Sequence, residues 1–139
     1  KNKKFDGVIM RGVIEHYVDP VSAIENVSKI LETSGYFYIF ATPNIKSFAA
    51  EVYRDKWTLF HPVQHVFHFS ADNLETICNR YGLSLVWREF PYLDTPYEDV
   101  VNDLGAINKA IKDRSDGIEP GISKAFYENM LTLVFQKKN

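Results

Sequence analysis

The sequence predicts an α/β fold, and three observations carry the expectation. An apolar run rich in β-branched residues covers 5–10, a helix-patterned segment opens at Asp19-Pro20, and a second apolar run covers 36–41. Short apolar runs bounded by turn residues read as strands whose two faces are both covered. A strand, a crossover helix and a second strand make a right-handed parallel unit.

The elements follow in order. Phe5 to Met10 is the first strand. Asp19 caps a helix with Pro20 at its first position, and Val21, Ile24, Val27 and Leu31 recur at helical spacing until Gly35 stops it. Tyr36 to Ala41 is the second strand, ended by Thr42-Pro43-Asn44. Ile45, Phe48, Ala49, Val52 and Tyr53 mark a helix of three turns or fewer. A loop rich in aromatics and histidine runs from Trp57 to Phe69. Ser70 then caps a helix whose inner face is Leu74, Ile77, Cys78 and Tyr81, with Gly82 as its stop. Leu83 to Phe90 is the third strand. A helical insertion at about 92–124 carries Val100, Leu104, Ile107 and Ile111, and Met130 to Gln136 closes the chain as a strand, followed by Lys137 and Lys138.

Composition narrows the function. The 139 residues fit one compact domain, and 45% hydrophobic content supplies a core. The net charge of −2 offers no basic field to nucleic acid or to an anionic membrane. No apolar run reaches the roughly 20 residues that cross a bilayer. The single cysteine, Cys78, excludes a disulfide framework and suits a reducing, cytoplasmic setting. The polar start, Lys1-Asn2-Lys3-Lys4, leads straight into a strand, as in a chain cut from a longer one.

Three stretches together resemble the class I S-adenosylmethionine-dependent methyltransferases, in particular the branch with the ubiquinone-biosynthesis O-methyltransferases. The first is Phe5-Asp6-Gly7-Val8-Ile9-Met10-Arg11-Gly12-Val13-Ile14-Glu15-His16 with Asp19-Pro20, similar to the family's fourth strand and its apolar-Glu-His step. The second runs from Leu31 through Gly35 to Thr42-Pro43-Asn44, and the third is His61-Pro62-Val63-Gln64-His65 with Phe69-Ser70 and Leu74. The resemblance implies a partial Rossmann-like sheet of strands four to seven, the last inserted antiparallel between its two predecessors. It implies that residues 1–139 are the C-terminal portion of one methyltransferase domain. The family's glycine-rich cofactor loop and ribose-binding acid would both precede Lys1, and the chain holds no G-x-G-x-x-G. On that reading this chain alone is inactive and binds S-adenosylmethionine more weakly than about 1 mM. Micromolar binding in a calorimeter would contradict it.

The implied function is transfer of a methyl group from S-adenosyl-L-methionine to a small-molecule acceptor. Ligands of open α/β sheets bind at the carboxyl ends of the strands. Met10, Arg11, Gly12 and Ile14 are therefore the candidate cofactor contacts, although Gly12 reads equally as a plain turn glycine and Ile14 as core. Glu15 and His16 are the candidate catalytic pair, with His16 as a base for the acceptor's proton. The alternative for them is a locally paired glutamate beside a surface histidine. Related ubiquinone-type enzymes hold a divalent metal with a glutamate, two further residues and Glu-His. Gly12 stands where the first glutamate would be, so two ligands remain and no metal is expected. Asn44, His61 and His65 are candidate acceptor-binding residues. The rivals are a metal-dependent hydrolase using His61, His65 and His68 with Asp72, and a non-catalytic methyltransferase-like module that serves only in association. A homodimer paired through the first strand is the expected assembly.

Overall fold

A computed structural model describes residues 3–123 and 126–138. Four strands, β1 (Phe5–Arg11), β2 (Leu31–Pro43), β3 (Leu83–Glu89) and β4 (Met130–Lys137), form one sheet in the order β1-β2-β4-β3. β1 and β2 are parallel, and β4 runs antiparallel to both β2 and β3. The α/β class and the inserted antiparallel last strand are as expected. Among the described residues four α-helices accompany the sheet: α1 (Pro20–Ile30), α2 (Phe48–Tyr53), α3 (Ala71–Arg80) and α4 (Val100–Ser115). No described helix is long and apolar enough to cross a membrane.

The helix starts follow local chemistry. The Asp19 carboxylate accepts the Ser22 N–H and Pro20 takes the first position, where a missing donor costs nothing. The Ser22 side chain first, and then that N–H, holds the Asp19 carboxyl below its ordinary range. Ser70 and Asn73 exchange bonds in a capping box at the start of α3, and Gly82, at φ +73°, turns the chain behind it.

The role expected of Gly35 differs. α1 ends at Ile30 and β2 begins at once with Leu31, so the crossover helix needs no glycine stop. The pairing steps from Phe5 opposite Leu31 to Gly7 opposite Tyr36, and Ser34 takes the left-handed turn at φ 66°. Gly35 is needed for space instead. A Cβ there would sit 3.0 Å from the Glu32 carbonyl oxygen and 3.1 Å from that of Asp6.

The core lies on one face of the sheet. Met10, Phe37, Ile39, Leu133 and Phe135 point down onto Ile24 and Val27 of α1 and onto Leu74 and Cys78 of α3. Alternate residues point the other way, because strand side chains have a period of two. On that face Ile9 is 64% and Trp87 58% exposed, and Tyr36 is exposed as well. The expectation that both faces of the first strand are covered is therefore corrected, since both packed helices lie beneath the sheet. Burial pushes the Cys78 thiol up to about 12. A thiol reagent at about pH 8 is expected to spare Cys78 in the native protein and label it on unfolding. Rapid labelling of the folded chain would contradict that placement.

A second, smaller cluster joins Ala49, Val52 and Tyr53 of α2 and Trp57 to Ile107 and Ala110 of α4. The expected face of α4 is rotated. Val100, Leu104 and Ile111 are exposed, and the inward residues are Asp103, Ile107 and Ala110. Polar side chains anchor both ends of this stripe. The Tyr92 hydroxyl donates to the Asp103 carboxylate at 2.7 Å, and the Arg114 guanidinium donates to the carbonyls of Val52 and Tyr53. Burial first, and then that carboxylate, pushes the Tyr92 phenol up, so it stays a donor.

β1 is an edge strand whose outer side pairs with no described strand. Unpaired backbone on an apolar strand is a template for another chain. The 139-residue chain is expected to form a two-fold dimer by antiparallel pairing of residues 5–10. A clean monomer in light scattering at high concentration would contradict this.

Candidate functional site at the carboxyl ends of β1 and β2

The chain leaves β1 through a turn that the sequence shapes closely. Gly12 adopts φ +57° and donates its N–H to the Phe40 carbonyl at 2.8 Å, tying the turn to β2. A side chain there would be in ordinary contact with its neighbours, so the positive φ, not space, favours glycine. Ile14, Glu15 and His16 then form one 3-10 turn. Ile14 is fully buried in the main core and clamps that turn. Met10 is also a core side chain. Of the four expected cofactor contacts, Met10 and Ile14 thus have only backbone to offer. Arg11 is exposed, and Gly12 lines an open cleft of about 250 Å³ with Val13, His16 and Tyr17.

Glu15 is 3% exposed, and its Oε2 accepts the hydroxyl of Thr42, itself fully buried at the end of β2, at 3.1 Å. Its Oε1 lies 3.9 Å from Nε2 of His16. His16 Nδ1 meets the Gln64 carbonyl at 2.7 Å. A carbonyl only accepts, so the proton sits on Nδ1 and the Nε2 lone pair is free. The pair can take a proton at Nε2 with a carboxylate at hand to stabilise the resulting charge.

The histidine loop folds back onto this turn. The Phe67 N–H donates to the Glu15 carbonyl at 3.2 Å, and His16 and His65 stack edge to face with centroids 4.9 Å apart. His65 Nδ1 meets the Leu59 carbonyl at 3.0 Å, which leaves its Nε2 free as well. Glu15, His16 and His65 each bring a ligand atom within 4.8 Å of the others, and among the described residues they are the one such group.

The remaining candidates are placed differently. His61 is exposed and edges against His65. His68 stacks on Phe60, and its Nε2 is buried with no partner among the described residues. Burial, then the neighbouring His65, holds the His68 imidazole below its ordinary range, so it stays neutral. Asp72, on α3, is paired with Arg88 of β3. The His61–His65–His68–Asp72 set of the hydrolase reading is therefore not assembled. Asn44 is buried and spends its side-chain amide on the Glu128 carbonyl and the Lys46 N–H, joining β2 to the approach of β4. Thr42 is a site residue with no signal in the sequence beyond its place in the Thr-Pro-Asn strand end.

Solved structures share this architecture. A SAM-dependent methyltransferase from Thermotoga maritima superposes with a TM-score of 0.59 at 21% identity, over 99% of this chain and 58% of its own. An Archaeoglobus fulgidus SAM-dependent methyltransferase gives 0.57 at 15% identity, over 98% and 61%. Magnesium protoporphyrin IX methyltransferase from Synechocystis, solved with SAH bound, gives 0.56 at 12%, over 97% and 46%. The chain thus spans about half to three fifths of the length of these proteins. No curated protein matches it significantly in sequence. A family model described as a methyltransferase domain matches residues 1–87, well over half of the chain, and the chain belongs to that family.

Proposed function

We propose that the protein methylates a small-molecule acceptor at the cleft beside Gly12 and His16, with Glu15 and His16 handling the acceptor's proton. The observation that carries this is the His16 ring: its Nδ1 is fixed by the Gln64 carbonyl, and its free Nε2 stands beside a buried carboxylate. The cofactor is S-adenosyl-L-methionine, in keeping with the family and with the SAH-bound Synechocystis neighbour. It supplies an electrophilic methyl group when bound. The residues present suit it: the Gly12 turn opens the backbone at the strand end, and Val13 and Tyr17 give the cleft apolar walls.

The chain's own part is positioning and proton transfer. As the acceptor oxygen takes the methyl group, its proton passes to His16 Nε2, and Glu15 stabilises the charge that forms there. Thr42 holds Glu15 in place. The need for a base favours an oxygen acceptor, the chemistry of the branch that Glu15-His16 resembles. Incubating the whole protein with methyl-labelled S-adenosylmethionine and a mixture of small phenols and hydroxy acids tests this. A labelled small-molecule ether or ester, absent with His16→Ala, is the expected product. Label that stays on the cofactor, or reaches only protein or nucleic acid, would overturn the reading.

A further inference from the structure

We infer that Glu15, His16 and His65 form a binding site for one divalent transition-metal cation of the zinc class. This rests on the reading of the cleft as the acceptor site. Spacing along the chain supplied only two ligands, Glu15 and His16. The fold brings the third from 49 residues downstream, because the Phe67 N–H and the Gln64 carbonyl dock the histidine loop onto the turn after β1.

The ligand chemistry is consistent at each position. Two imidazole nitrogens and one carboxylate oxygen suit zinc, and also iron or cobalt in the two-histidine, one-carboxylate arrangement. A metal-binding histidine usually donates its other ring N–H to a carbonyl or carboxylate, which fixes its tautomer and aims its lone pair. Both rings do so here, His16 to Gln64 and His65 to Leu59. The carboxylate has its own support, since Thr42 donates to Oε2 and leaves Oε1 facing the histidines. Bonds of about 2.0–2.2 Å place two ligands of one tetrahedral zinc ion about 3.3–3.6 Å apart. The three atoms lie within 4.8 Å of one another, so side-chain rotations that draw them together by roughly an ångström would close the set.

The fourth position would open onto the cleft lined by Gly12, Val13 and Tyr17. With the cation bound, the His16 Nε2 lone pair would be a ligand and no longer a proton acceptor, and the cation would instead raise the acidity of an acceptor oxygen there. The remaining histidines serve as internal controls. His61 is exposed, and His68, although its ring lies beside that of His65, is not among the ligand atoms that come together.

Cobalt(II) and zinc, each added alone to the metal-stripped whole protein, test the site without cofactor or acceptor. One equivalent of cobalt is expected to give a visible absorption band of a nitrogen- and oxygen-ligated ion, and zinc is expected to displace it. His65→Ala and Glu15→Gln should each weaken zinc binding by at least about tenfold, with His61→Ala unchanged. Glu15→Gln keeps an acceptor for Thr42, so it serves if His65→Ala fails to fold. No cobalt band, or equal binding by His65→Ala, Glu15→Gln and His61→Ala, would overturn the site. Methyl transfer that depends on His16 but is indifferent to chelation, with no cobalt band, would sink the cation and spare the proposed function. A cobalt band without methyl transfer would do the reverse.

Discussion

Replacing His16 by alanine in the whole protein is expected to lower turnover by roughly 100- to 10,000-fold, the range attached to a positioned proton acceptor. His68→Ala is expected to leave turnover within a few-fold of the natural protein. The contrast comes from placement. His16 presents a free Nε2 to an open cleft, whereas the Nε2 of His68 is buried against the loop's own packing. Steady-state turnover of both variants, with circular dichroism to confirm folding, checks this. Equal losses, or a silent His16→Ala, would remove His16 from the chemistry.

The second large effect is on stability. Phe37→Ala is expected to destabilise the chain by about 3–5 kcal/mol, because it deletes a fully buried ring between the sheet and its helices. That is a large share of the roughly 5–15 kcal/mol available to a domain. Tyr36→Ala, one residue earlier on the same strand, should cost less than about 1 kcal/mol. Its ring lies on the opposite, exposed face, and its hydroxyl only accepts from Gln136. Urea unfolding of the 139-residue chain gives both values. Similar losses at the two positions would mean that the outer face is covered as tightly as the inner one.

These contrasts show what could be seen in the residues alone. The first crossover unit and α3 are legible because Asp19-Pro20 and Ser70 are strong local signals for the starts of α1 and α3, and the apolar runs have the right lengths. The place of β4 between β2 and β3 came from family resemblance, since nothing local in Met130 to Gln136 sets its direction. The face of α4 was misread for a physical reason. Apolar spacing favours Val100, Leu104, Ile107 and Ile111, of which Ile107 alone is buried, and the buried stripe ends in Asp103 and Arg114, whose costs are offset by Tyr92 and by the backbone of α2. The approach of His65 to His16 was equally invisible. It depends on loop backbone bonds between distant segments, which leave no periodic mark in the sequence.

On the proposed function, a methyl-transfer cofactor meets this chain at the ends of β1 and β2. Titrating the whole protein with S-adenosylhomocysteine while following backbone amide resonances tests it most directly. Within 1–139, the largest shifts are expected on residues 11–17, with smaller ones at 42–44. No binding, or shifts confined to α4 and the outer face of the sheet, would contradict it.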